Sequence, residues 1–386
     1  MKTKILLALS TARNLPVAGL HWLNRVLIIG SFISAAVAAV AARNSSKQFM
    51  SATPAPERVL PSIGTLLDRY AESQKVFRSF ILTFEMSSRT TGVWNGARHT
   101  TDHGEAVEIR YDGRRAKLIR KQWGYVDAAL PRLAKEKAQP QFWMWDGQTY
   151  STYSPNYLPG RPPKLEQTLG MSEAQGRRQL QFVYEQNIIP YRSLHIPCDQ
   201  RHDTDSIDKA LRRANRISLR PDRENVGGSQ CYVIKATLDS VEHGQLVDKS
   251  FGGDSRMDGE RVATAQHTLW LDPDHGYHIA RAVSVYTKPL GKGTFHRRDT
   301  RENVRFAQRD GVWLPVEMDM TAEEQGTSNP NKVTARYQVT LFARNPDHET
   351  RGSFRPSEVA NDALVIVFEQ GREVRRGRWE DGQVAP

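Results

Sequence analysis

Beyond residue 80 the sequence is dominated by a two-residue alternation, repeated in run after run and punctuated by Asp-Gly pairs. Phe80, Leu82, Phe84 and Met86 alternate with Ile81, Thr83 and Glu85, and Val107, Ile109 and Tyr111 alternate with Glu108 and Arg110. The pattern returns at residues 117–120, 142–145, 148–153, 231–238, 262–271, 279–287, 304–308, 312–320 and 333–342. Asp112-Gly113, Asp146-Gly147 and Asp310-Gly311 each stand between such runs. An Asp-Gly pair supplies the positive-φ positions of a tight hairpin turn. Many alternating strands joined by short turns predict an antiparallel sheet with one wetter face.

A few segments break that period. Ile63, Leu66, Leu67, Tyr70 and Phe77 recur at helical spacing, which predicts an amphipathic helix ahead of the first strand. Further helices are expected at residues 172–186 and 205–214, the latter capped by Thr204. The fold class is therefore α+β, mostly β: one antiparallel sheet interrupted by helical insertions.

The N-terminus is of a different kind. Lys2, Lys4, Arg13 and Arg25 precede an uncharged run from Val26 to Ala42 that ends in small residues. This is the layout of a secretory signal with cleavage near Ala42. A run of this length also serves as a single membrane anchor, but its alanine-rich end favours cleavage. Residues 43–60 are polar and rich in Pro and Ala and read as a linker. The expected organisation is signal 1–42, linker 43–60, a β-rich domain over 61–352 and a small C-terminal appendage, 353–386.

Charge and composition narrow the partners. The 386 residues carry a formal charge of +11, and removal of the first 42 leaves +7. That mild, dispersed excess suits anionic surfaces such as lipid head groups or acidic glycans more than nucleic acid, which needs a concentrated patch. Two cysteines occur, Cys198 and Cys231. In an oxidising compartment an even pair favours a disulfide over two buried thiols.

Catalytic constellations are weak. Asp272, Asp274, His275 and His278 fall between two alternating runs, where Asp-Pro and Gly form a turn, and hairpin side chains three apart point to opposite faces; a turn is expected rather than a metal site. His195, His202 and Asp203 near Cys198 read as loop residues. The Gly-rich pieces lack phosphate-loop spacing, so no nucleotide cofactor is expected. Trp143 and Trp145 share one face of a strand whose other face carries Phe142 and Met144. Such a strand is covered on both sides, either as plain core or as the wall of an apolar cavity.

Several strand–turn–strand motifs carry a family resemblance: IRYDGRRAKL (109–118), FWMWDGQTY (142–150), GGSQCYVIKA (227–236), LWLDPDHGYHIARA (269–282), VRFAQRDGVWLPVEMD (304–319) and NPDHETRGSF (345–354). With them the chain resembles the LolA/LolB-like lipoprotein-sorting carriers, and more closely a group of large secreted planctomycete-type relatives, from about Pro61 to Gly352. The resemblance implies a curved half-barrel sheet covered by helices, with an acyl chain or lipid in an apolar cavity and no bond-breaking chemistry. The expected function is a non-enzymatic, exported envelope carrier or binding protein, in which Phe80, Leu82, Phe84, Trp143 and Trp145 form cavity wall. The alternatives are a structural or sensory envelope module acting through a protein partner, and an exported hydrolase. Membrane contact is expected only through an uncleaved anchor or at the surface.

Overall fold

Alternation becomes sheet because each strand can bury one side and leave the other wet. In a computed structural model of the chain, residues 60–94, 97–124, 132–155, 161–187, 207–243, 260–290, 293–326 and 330–385 are described. The predicted signal, its cleavage site at Ala42, the linker, Cys198, Thr204 and the histidines at 195 and 202 lie outside them. Among the described residues no helix is long and apolar enough to cross a membrane.

Among the described residues, seventeen strands form one open sheet. The first wing is β1 (Phe80–Trp94), β2 (Ala97–Tyr111), β3 (Ala116–Gly124), β4 (Gln141–Trp145), β5 (Tyr150–Ser154) and β6 (Lys164–Leu169), each antiparallel to the one before. The second contains β7 (Arg216–Leu219), β8 (Glu224–Val226), β9 (Ser229–His243), β10 (Glu260–Asp272), β11 (His278–Leu290), β12 (Gly293–Arg309), β13 (Val312–Gln325) and β14 (Asn331–Arg344). β9 to β14 form a meander with short β7 and β8 on the outer edge of β9. The wings join because β1 pairs with β2 on one side and β14 on the other. Residues 364–385 add β15 (Leu364–Glu369), β16 (Arg372–Glu380) and β17 (Gln383–Ala385), with β15 parallel to β6.

Among the described residues, three α-helices cover one face. Ser62 caps α1 (Ile63–Ser73) by accepting a 3.1 Å bond from the Thr65 amide. The helix stops short of Phe77, which sits in a 3₁₀ turn. Leu66, Leu67 and Tyr70 of α1 join Ile207 and Leu211 of α3 (Ile207–Arg212) over Tyr232, Ile234, Leu269, Leu271 and Ile279. α2 (Glu173–Asn187) opens on a reciprocal cap between Ser172 and Gln175. It packs on Trp145 through Leu180 and Gly176, where an added Cβ would sit 2.4 Å from the indole.

The opposite face of the first wing is covered by the C-terminal segment. His348 Nε2 donates to the Tyr111 carbonyl (3.1 Å), Arg110 donates to the Ser353 carbonyl (3.3 Å), and Lys117 reaches both Glu358 and the Arg355 carbonyl. Beneath lie Ile119, Phe142, Met144, Leu165, Val365 and Trp379. β4 is thus covered on both sides, as the sequence of its two faces predicts.

Candidate functional site

Side chains directly paired across strands point to the same face, so the registers define the helix-covered face. Leu82 and Phe84 pair with Ile109 and Val107 of β2 and with Phe342 and Val339 of β14. Leu118 pairs with Trp143, and Met318 and Met320 pair with Tyr337 and Ala335. The five candidate wall residues all lie on this face, in different states. Phe80, Leu82 and Phe84 are buried in an aromatic floor with Phe77, Tyr337 and Phe342. Phe80 stands edge-on to Phe77 at 5.5 Å, and Phe84 lies 4.7 Å from Tyr337. Trp145 is buried under α2. Of the five, Trp143 alone is half-buried; Met86, Met320 and Val339 are likewise half-buried against the same floor.

This apolar strip ends in a buried polar group. Glu105, opposite Met86, is 1% exposed. It accepts a 2.6 Å bond from Arg120, and His103 lies 3.8 Å away. Burial pushes the Glu105 carboxyl upward, but His103 and Arg120 together hold it below the usual carboxylate value. Gln141 donates to Gln122, which stands beside His103. The cluster was hidden from sequence reading because it interrupts the apolar alternation at the point where β2 and β3 turn polar.

The Asp272–His278 stretch forms the turn expected of it, a 3₁₀ turn over Pro273–His275 closed by Gly276 at positive φ. The two histidines do not diverge to opposite faces, however. The turn and a positive φ at Tyr277 bring both against Phe306, at 4.7 Å for His275 and 6.1 Å for His278. Asp272 bonds His275 Nδ1 at 2.7 Å, and Trp313 meets the same ring edge-on. No group of metal-ligating side chains occurs among the described residues. Cys231 is buried and has no disulfide partner among the described residues, its thiol pushed up to about 12 by burial and the nearby aspartates; its expected partner, Cys198, lies outside them.

His278 gives this turn a pH dependence. Burial lowers its pKa to about 4, against an ordinary 6.5. The folded protein then resists a proton that the unfolded chain accepts, so stability falls as pH drops from about 6.5 toward 4. A His278→Gln variant should flatten that portion of the stability profile, read by urea unfolding at pH 7 and pH 5. An unchanged pH slope would remove His278 as the cause.

No family model matches this chain, and no characterised protein matches it by sequence. Solved structures similar to it include a DUF1329 family protein from Desulfovibrio piger, at 11% identity over 77% of this chain and 100% of that one, TM-score 0.30. A putative outer membrane lipoprotein-sorting protein domain from Vibrio parahaemolyticus has 13% identity, coverages of 75% and 97%, and TM-score 0.30. A LolA superfamily protein from Nitrosomonas europaea has 10% identity, coverages of 78% and 100%, and TM-score 0.30. The similar structures are of the lipoprotein-sorting and LolA kind.

Proposed function

We propose that the protein is a non-enzymatic carrier or binding protein, exported to the cell envelope, that holds an acyl chain or other apolar ligand against the helix-covered face. The observation that supports this reading is that Met86, Trp143, Met320 and Val339 are each left half-buried around a packed aromatic floor. Methionine side chains adapt to irregular apolar shapes. Each methylene buried there contributes about 0.8 kcal/mol. Phe80, Leu82 and Phe84 serve as the floor beneath the ligand, and Trp145 braces the helix at its side.

The test is native mass spectrometry of the purified mature protein together with uptake of a fluorescent fatty acid. Bound lipid is expected, along with saturable uptake that Met320→Glu reduces at least tenfold without lowering the melting temperature. Absence of lipid and of uptake would sink the proposal. It would favour a structural or sensory module working through a protein partner, a reading supported by the floor being filled with the chain's own rings.

A further inference from the structure

On the sheet face opposite the apolar strip lies a groove of about 660 Å³, in the size range of ligand sites. Its floor is built of small residues: Ser87, Gly104, Thr321 and Thr334. Register places them together, since Ser87 pairs with Gly104 and Arg336, and Arg89 pairs with Asp102 and Thr334. Ser88, which alternates with them on β1, also borders the groove.

The walls are held in place by specific contacts. Trp123 lies flat on Gly104, where any Cβ would come within 2.1 Å of the indole nitrogen. Gly124 and Leu133 exchange both backbone hydrogen bonds at 2.8 Å, which fastens the segment after β3 to the sheet. Lys135 in that segment binds both carboxylate oxygens of Glu85 at 2.9 Å and sits 4.7 Å over the Trp123 ring. The exposed Arg132 is thereby set at the groove, whose lining also includes Arg89 and Arg336 from the two central strands. Arg89 is bonded to Asp102 at 2.8 Å and Arg336 to Glu317 at 3.3 Å, while Asp319 accepts from Asn303.

From this arrangement we infer an acidic-oligosaccharide site, for a uronate-containing glycan. Three guanidinium groups against two lining carboxylates leave the groove cationic, and an Arg fork matches a sugar carboxylate. Ser and Thr hydroxyls and the aspartates supply the mixed donors and acceptors that sugar hydroxyls need. The floor residues named here face away from the apolar strip, although Met320 borders both.

Isothermal titration of the full mature protein with oligogalacturonate tests it. Saturable binding is expected, weakening with added salt and at least tenfold tighter than for a neutral oligosaccharide of equal length. Arg132→Gln, at an exposed position, should lose about tenfold in affinity with its melting temperature unchanged. Gly104→Ala should lose binding by displacing Trp123. Arg372→Gln, in the exposed basic strand β16, should leave affinity unaltered and so separates the groove from overall charge. Failure to bind oligogalacturonate would overturn the inference. So would equal binding of the neutral sugar, or equal losses in Arg132→Gln and Arg372→Gln.

Discussion

Lys117→Ala should lower the unfolding free energy by about 3–5 kcal/mol, the cost of removing one partner of a buried ion pair. Lys117 is fully buried, its ammonium on Glu358 and on the Arg355 carbonyl, with the Phe142 ring 5.0 Å away. Burial lowers its pKa and the Glu358 charge offsets some of that. The alanine variant strands a half-dry carboxylate beneath the C-terminal segment. The segment should then loosen as well, because the Lys117 contacts and the Arg110–Ser353 bond hold neighbouring stretches of it. Urea unfolding measures the loss, and limited proteolysis between residues 347 and 363 measures the loosening. Lys117→Met combined with Glu358→Met should recover at least half of the lost stability, since an apolar pair leaves no charge uncompensated. An alanine variant that unfolds at the wild-type midpoint would dismiss the clamp.

Trp145→Ala should be about as damaging, costing about 3–5 kcal/mol as expected for a large buried aromatic. The indole fills the space between β4 and α2, against Leu180 and the backbone at Gly176. Gly176→Ala should act in the same direction, since the new methyl must displace the indole. The measurement of interest is the separation of effects. Trp145→Ala should lower the melting temperature sharply, whereas Met320→Glu on the half-buried strip should spare it and abolish fatty-acid uptake. If Trp145→Ala spares stability and removes uptake, the indole belongs to the ligand surface and the floor-and-brace assignment is reversed.

The alternating strands were legible because burial on one face imposes the period of two. Phe80–Met86, the runs after Asp112-Gly113 and Asp146-Gly147, and the pairs around Asp310-Gly311 all fold as their pattern predicts. The far halves of the same strands were not. β1 continues through Ser87–Gly92, β2 begins at Ala97 and β12 at Gly293, in stretches polar on both faces. There hydrogen bonding to neighbours and cross-strand ion pairs such as Arg297–Glu324 maintain the ladder without an apolar signal. The parallel pairing of β15 with β6 was hidden for another reason: Leu364–Glu369 names no partner in its own sequence. The groove shared the same obscurity. Arg89 and Arg336 are far apart in the chain and share the groove because β1 and β14 are neighbours, while Arg132 is brought to it by the Gly124–Leu133 bridge.

The central position of β1 has a kinetic consequence. One of its neighbours, β2, begins only three positions after β1 ends, whereas on the other side Phe80 must find Arg344. Closing so long a loop is entropically costly, and folds dominated by such distant pairings form slowly. Until β14 arrives, β1 presents an open hydrogen-bonding edge, the kind of template on which chains stick to one another. Its distal half, Ser-Ser-Arg-Thr-Thr-Gly over residues 87–92, is polar and charged. The stretch that carries no fold signal in the sequence thus works as a gatekeeper for the waiting edge, and the groove is later built upon it.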